Sequence, residues 1–201
     1  LLIGYKGLPD RIDLNKLEEA FKPTNAAISL AGEPTLYPRL DEMIDIMHKM
    51  GMTTFLVTNG TTDLSGLSTL PYQLYISVDA PDRETYLRID NPAINNGWER
   101  LQANLESFPD LNTRRVIRLT MMRHMNMFNE EGYARQIIKA DPDFVEIKAY
   151  MHVGYSRLRV ERSEMPSHKE IQEFARKISE LTGYKYKDES PDSRVVLLSR
   201  K

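Results

Sequence analysis

Cysteine is absent from all 201 residues, and that absence removes disulfides, thiolate nucleophiles, thiolate-held zinc and internally ligated iron-sulfur clusters from this segment. Charge of one sign is lacking too. The 27 Lys and Arg face 29 Asp and Glu, a formal net charge of -2, which excludes a polybasic binder working by total charge and confines any nucleic-acid contact to a local patch. No apolar run reaches the roughly 18 residues that mark a membrane helix, and mean hydropathy is -0.48. The opening residues carry no signal-peptide or transit-peptide pattern, so a cytoplasmic protein without a membrane partner is expected. Repeats, low-complexity tracts and linkers are also missing, which points to one domain over residues 1–201; a monomer is expected. The sequence starts at Leu1 without an initiator Met, so further residues are expected upstream.

What is present alternates. Short β-rich runs near residues 26–32, 53–58, 73–79, 114–121, 144–151 and 194–199 are separated by segments of helical period, the pattern of a parallel sheet with helical crossovers. Leu14, Leu17 and Phe21 predict one amphipathic surface helix; Leu40, Met43, Ile44, Met47 and Met50 predict another. Ser167 followed by Glu170 reads as a capping box opening a third helix, with His168 in its first turn. His48 is expected on a helix surface. The stretch between Gly60 and Gln73 is short for a crossover, and either a shortened helix or missing residues would explain it.

Strands of a sheet covered on both faces read as continuous apolar runs; here one parity is repeatedly polar. Alternation places Ser29 with Glu33, Thr54 with Thr58, Ser77 with Asp79, Arg118 with Thr120, and Glu146 with Lys148. The opposite parities hold Ile28 and Leu30, Phe55 and Val57, Ile76 and Val78, Ile117 and Leu119, and Val145 and Ile147. If the apolar side packs on helices, the polar side lines a shared lumen, as in an open or partial β/α barrel. Polar residues also gather at the C-terminal strand ends, where such barrels build their sites. Completion of turns and internal ion pairs are the plain alternative for each residue singly.

Lys148 stands out, because an unpaired buried ammonium is costly. An ion pair with Glu146 or Asp79 is the simple account; anchoring a substrate carboxylate or Schiff-base chemistry is the sharper one. Arg114, Arg115, Arg118 and Arg123 form one local basic cluster, and Arg157, Arg159 and Arg162 beside Tyr155 form a second. Arginine forks next to an aromatic suit phosphates and unstacked RNA bases. His124 and His152 follow strands, a weak signal for a ligand or metal contact.

The segments AAISLAGEPTLYP (26–38), FLVTNGT (55–61), EIKAYMHVGYSR (146–157) and MPSH (165–168) resemble the archaeal 4-demethylwyosine synthases, radical S-adenosylmethionine enzymes of tRNA wybutosine synthesis. The likeness runs from about Ala26 to Leu198. It implies a partial TIM-like barrel of the radical SAM type in the α/β class, with its first strand and cluster loop missing from these residues. It also implies a lyase reaction in which N1-methylguanosine at position 37 of phenylalanine tRNA gains two carbons from pyruvate, begun by a 5'-deoxyadenosyl radical, with an electron donor as a further partner. Carried over residue by residue, Gly32, Glu33 and Pro34 of the Ala31-Gly32-Glu33-Pro34 segment correspond to the loop holding the methionine amino group. Glu33 is an acceptor for that ammonium. Thr58, Asn59, Ser77 and Asp79 correspond to cofactor contacts at strand ends, and Arg118 is assigned to the methionine carboxylate. Lys148 is the catalytic candidate, and Tyr150, Tyr155, Ser156, Arg157, Arg159 and Arg162 are candidate substrate contacts at the anticodon loop.

The resemblance departs at one point. The family requires a Cys-x3-Cys-x2-Cys loop and further cysteines, for two [4Fe-4S] clusters, and none is present. The first strand, the cluster ligands and the lysine that captures pyruvate are therefore expected before Leu1, and a form without cofactor, its lumen exposed on that side, is expected. Two rivals need no upstream cysteine: a Schiff-base aldolase-type lyase built on Lys148, and a catalytically inactive tRNA-binding module.

Overall fold

The computed structural model describes residues 2–7, 9–29 and 32–200, so the expectations placed on Leu30 and Ala31 lie outside the described residues. A seven-stranded sheet runs through the molecule in the order β1-β2-β3-β4-β5-β7-β6. Strands β1 (Asn25–Ile28), β2 (Thr53–Thr58), β3 (Gln73–Ser77), β4 (Arg114–Met121) and β5 (Phe144–Ala149) are parallel neighbours. The chain then returns through a hairpin of β6 (Lys185–Ser190) and β7 (Val195–Ser199), with β7 antiparallel to both β5 and β6. The six predicted strands are present. The first ends earlier than expected, at Ile28, and the third and fifth end two residues early. Strand β6 carried no sequence signal, because every one of its residues is exposed and its composition is polar.

Helices α1 (Leu2–Tyr5) and α2 (Leu14–Ala20) precede the sheet; α3 (Leu40–Lys49), α4 (Arg83–Ile89), α5 (Gly97–Ser107) and α6 (Glu130–Ala140) are crossovers, and α7 (His168–Thr182) covers β5 and β7. The predicted amphipathic packing of α2 does not occur: it has no buried residue, Leu14 is 55% exposed and Phe21 41%. Helix α3 does bury Leu40 and Ile44, while Met50 stays exposed. His48 lies on its exposed side but reaches back to Thr54 Oγ1 at 2.8 Å. Helix α7 opens with the predicted capping box, Ser167 and Glu170 each satisfying the other's backbone N–H.

No helix lies between β2 and β3. The crossover is an irregular chain, continuous through residues 60–73, that inserts Leu64 (1% exposed) into the core while Asn104 of α5 bonds to Leu64 N–H and to the carbonyls of Gly60 and Thr62. One buried amide thereby satisfies backbone groups that a helix would have satisfied internally. The helix-facing side of the sheet, Leu56, Leu74, Ile76, Ile117, Leu119, Val145, Ile147, Val196 and Leu198, packs on Leu101, Leu105, Tyr133, Ile137, Ile171, Phe174 and Ile178. Burying each such side chain stabilises the fold by roughly 1.5–3 kcal/mol. Among the described residues no helix is long and apolar enough to cross a membrane.

Candidate functional site

Register decides which side chains share a face. Tyr75 is paired with Val116, and Ser77 with Arg118 and then Glu146. Thr120 is paired with Lys148. These residues therefore line the face opposite the helix-packed core, as alternation predicted for β3, β4 and β5. Strand β2 is inverted with respect to that expectation. Leu56 is paired with Leu74, so Thr54 and Thr58 share the buried core face at 0% and 1% exposure, whereas Phe55 and Val57 face the lumen half-buried. The buried threonines are tolerated because each hydroxyl is bonded: Thr54 Oγ1 accepts the Tyr72 N–H at 3.0 Å, and Thr58 Oγ1 donates to Glu33 and accepts the Gly60 N–H.

Glu33 ties together the ends of β1 and β2. Its Oε1 accepts from Thr35 N, Thr35 Oγ1 and Thr58 Oγ1 at 3.1, 2.6 and 2.7 Å, and its Oε2 accepts the Asn59 N–H at 2.8 Å. A carboxylate has about four acceptor positions, and Oε2 here has one to spare. The side chain of Asn59 is taken by Thr61. Gly32 and Pro34 bracket Glu33, Gly32 at φ +76 and Pro34 opening a short 3-10 turn. Beside this clasp lies a cleft of about 250 Å³ lined by Glu33, Asn59, Tyr86, Asp90, Ile94 and Arg100. Sequence reasoning missed Asp90; its only signal was an acid at the end of a helix, two residues before Pro92. Loss of water, and then the charge of Asp79, push its carboxyl up to about 7.

Asp79 sits at the end of β3 with Oδ1 accepting the Thr120 N–H at 2.7 Å. Burial pushes it up to about 6, a rise opposed by that bond and by the charges of Arg118 and Lys148. Asn126, fully buried and unforeseen, braces the same corner by donating to the carbonyls of Asp79 and Thr120. The Ser77 side chain makes no hydrogen bond among the described residues. Arg118 lies over the Tyr75 ring at 4.4 Å and donates through Nε to Glu146 Oε1 at 2.8 Å and through Nη2 to Oε2 at 3.5 Å. The expected pairing of Lys148 with Glu146 or Asp79 does not reach bonding distance: among the described residues the Lys148 side chain makes no hydrogen bond or ion pair, although its charge acts on Asp79.

The two basic clusters fare differently. The first is dispersed by alternation and by partners. Arg114 stacks on Tyr72, Arg115 turns to the carbonyls of Phe108 and Pro109, Arg118 enters the lumen, and Arg123 pairs with Glu170 at 2.7 Å. It is not a patch. The second is exposed along one segment: Arg157, Arg159 and Arg162 follow closely on Tyr155, which is 85% exposed, and flank Leu158, which is 81% exposed, and none of the three is in an ion pair among the described residues. Tyr150 is buried with its hydroxyl toward His152 and the Val160 carbonyl, and Ser156 caps its own turn by donating to Met151 and Val153. His124 is bonded to Glu164, which with Arg123 fastens the loop to β4. No group of three or more metal-ligating side chains occurs among the described residues.

The Radical SAM superfamily matches residues 6–136, and a wyosine base formation family matches residues 139–200. An S-adenosyl-L-methionine-dependent tRNA 4-demethylwyosine synthase of Pyrococcus horikoshii is 52% identical over 206 residues, covering 100% of this chain and 60% of that protein. Its counterpart in Methanocaldococcus jannaschii is 42% identical, covering 98% and 63%. A solved structure of TYW1 with a lysine-pyruvate adduct bound aligns with TM-score 0.89 at 41% identity, over 98% of this chain and 64% of that one. The chain thus spans about 60% of the length of the curated relatives it matches. The coproporphyrinogen III oxidase HemN, at 12% identity and TM-score 0.52, shares the fold alone.

Proposed function

Because this chain belongs to the Radical SAM superfamily, we propose that it is the barrel portion of a tRNA 4-demethylwyosine synthase, a cytosolic monomer acting on phenylalanine tRNA and pyruvate with an external electron donor. The observation that carries this reading is the juxtaposition at one sheet end of a polar lumen with a free ammonium, Lys148, and an exposed arginine arm, Arg157 to Arg162. A small carboxylate substrate needs the first and an RNA needs the second.

S-adenosylmethionine fits the residues present. Its ammonium suits the spare acceptor position of Glu33 Oε2, and ribose hydroxyls suit Ser77 and the second oxygen of Asp79. Gly32 and Pro34 shape the methionine loop, while Thr58 and Asn59 serve by holding Glu33 in place rather than by touching the cofactor. A [4Fe-4S] cluster does not fit these residues, for the 201 contain no cysteine, and the ligands of one or two clusters belong to the part of the protein outside them. With its cluster, the cofactor supplies the radical that these residues cannot. What the chain contributes is positioning: Lys148 orients a carboxylate, the apolar lumen wall of Phe55 and Val57 excludes water, and Tyr155, Arg157, Arg159 and Arg162 hold the anticodon loop while the target base leaves its stack. That extrusion costs a few kcal/mol, offset by pocket and backbone contacts. Tyr150 and Ser156 set the arm's base.

Calorimetric titration of the 201-residue chain with S-adenosylmethionine, and fluorescence anisotropy with a phenylalanine anticodon stem-loop bearing N1-methylguanosine, test the proposal. Saturable binding of both is expected. Stem-loop binding without cofactor binding would leave a tRNA-binding module, and binding of neither would reject the reading.

A further inference from the structure

Glu146 and Lys148 are two residues apart on one strand face, about 6.5 Å along β5, a separation that a lysine side chain spans. An ion pair between them is one of the two pairings open from the sequence, the other being with Asp79, yet neither forms among the described residues. Glu146 is instead held by Arg118, its direct cross-strand partner, through both carboxylate oxygens. Arg118 is itself fixed from its other side by the Tyr75 ring at 4.4 Å. The residues directly opposite Lys148 are Thr120 on β4 and Val195 on β7. Neither carries a charge. Asp79 feels the charge of Lys148 but spends Oδ1 on the Thr120 N–H. This face thus sets Arg118 and Lys148 against Glu146 and Asp79; Glu146 is bonded by Arg118 and Asp79 bonds a backbone N–H, so among the described residues Lys148 is the cation whose side chain is left without a bonded carboxylate.

We propose that Arg118 is a positioning residue whose task is to hold Glu146 away from Lys148, keeping the Lys148 ammonium free for the carboxylate of a ligand. This rests on the reading of the lumen as a carboxylate-binding site, and it reassigns Arg118 from ligand contact to keeper of the contact. The carboxylate has two possible sources, the substrate 2-oxo acid and the amino-acid end of S-adenosylmethionine.

The test is a cycle of variants in which removal of a second residue restores what removal of the first destroys. Arg118→Met frees Glu146 to capture Lys148, so carboxylate binding falls by about tenfold or more, as it does in Lys148→Met. Glu146→Gln alone leaves binding near wild type. The double variant Arg118→Met with Glu146→Gln recovers it, because a neutral amide holds an ammonium far more weakly than a carboxylate does, and Arg118→Lys keeps most of it. Titrations with pyruvate and with S-adenosylmethionine run in parallel identify the source: only the ligand whose carboxylate Lys148 holds follows the cycle.

A readout without any ligand accompanies this. The acetylation rate of Lys148 by an amine-reactive ester, mapped by mass spectrometry, falls in Arg118→Met and returns in the double variant. If Arg118 contacts the ligand itself, the double variant stays as weak as the single one while Lys148 reactivity is unchanged throughout, and the proposal is overturned. If the acetylation rates follow the cycle but neither ligand binds the wild-type chain, the charge arrangement stands and the carboxylate-site reading fails.

Discussion

The sharpest consequence of the site's geometry is that Asp79 destabilises the protein whenever it is ionised. Its carboxyl titrates near 3.8 in an unfolded chain and is pushed up to about 6 in the folded one by loss of water. Below the lower value it is neutral in both states and contributes nothing. Between the two, stability falls as pH rises, and above about 6 the full penalty applies. A rise of about two pH units corresponds to about 3 kcal/mol. The residue is half-buried and keeps some contact with water, so about 1–3 kcal/mol is the expected range. Asp79→Asn removes the charge and retains an oxygen to accept the Thr120 N–H that Asp79 now binds at 2.7 Å. Urea unfolding at pH 4 and pH 8 should therefore show near-equal stabilities at the lower pH and a variant more stable by about 1–3 kcal/mol at the higher, or roughly 2–10 °C in melting temperature. Asp90 should titrate lower in the variant, since the charge of Asp79 helps to raise it. A stability difference that is the same at both pH values, or a variant less stable at pH 8, would refute the reasoning. In exchange the variant should bind S-adenosylmethionine more weakly, because the same carboxylate is proposed as a ribose acceptor.

Replacing Arg157, Arg159 and Arg162 together with Ala should weaken anticodon stem-loop binding and lower the slope of log affinity against log salt by roughly 0.7 for each single-strand phosphate that is no longer neutralised; an unchanged slope in anisotropy titrations would remove the arm from the interface. Gly132→Ala should cost about 2 kcal/mol or more, since a Cβ there lies 2.6 Å from the Pro81 carbonyl oxygen and 2.8 Å from the Pro81 Cβ; a melting temperature equal to wild type would show that the α6 start can shift. Glu170→Gln should lose about 1 kcal/mol at pH 7 after screening by water, because Arg123 and then Ser167 hold the Glu170 carboxyl down to about 2. Its contribution is fully present above about 4.5 and is lost as pH falls toward 2, so the wild-type advantage should shrink in acid; an advantage that grew there would overturn the assignment.

Much of this was legible from alternation, and the failures have identifiable causes. Ser77 with Asp79, Arg118 with Thr120 and Glu146 with Lys148 were placed on the lumen face because their apolar alternates, Ile76, Ile117, Leu119, Val145 and Ile147, are all fully buried. The same rule inverted β2. There the alternates are Phe55 and Val57, which look like core, against Thr54 and Thr58, which look like lumen. Polarity misleads when a buried hydroxyl has its bonds supplied by other segments, here Tyr72 N–H, Glu33 and Gly60 N–H. Those partners lie 2 to 25 residues away, and no local pattern announces them. Strand β6 was missed because an edge strand with all residues exposed needs no apolar alternation at all.

Charge partners were the least legible. The sequence left Glu146 and Asp79 both open as partners of Lys148, and Glu146 is near because residues two apart on a strand are neighbours along one face. What decides between Lys148 and Arg118 is register, which sets Glu146 directly opposite Arg118 and sets Lys148 opposite Thr120. A shift of one residue between β4 and β5 would turn one strand's polar row away from the other's. The apolar rows of β4 and β5 exclude that shift by packing Ile117, Leu119, Val145 and Ile147 into one core at 0% exposure. Burial on one side of the sheet therefore dictates pairing on the other. The free ammonium at Lys148 follows from how the core packs, and no reading of the lumen residues by themselves would have found it.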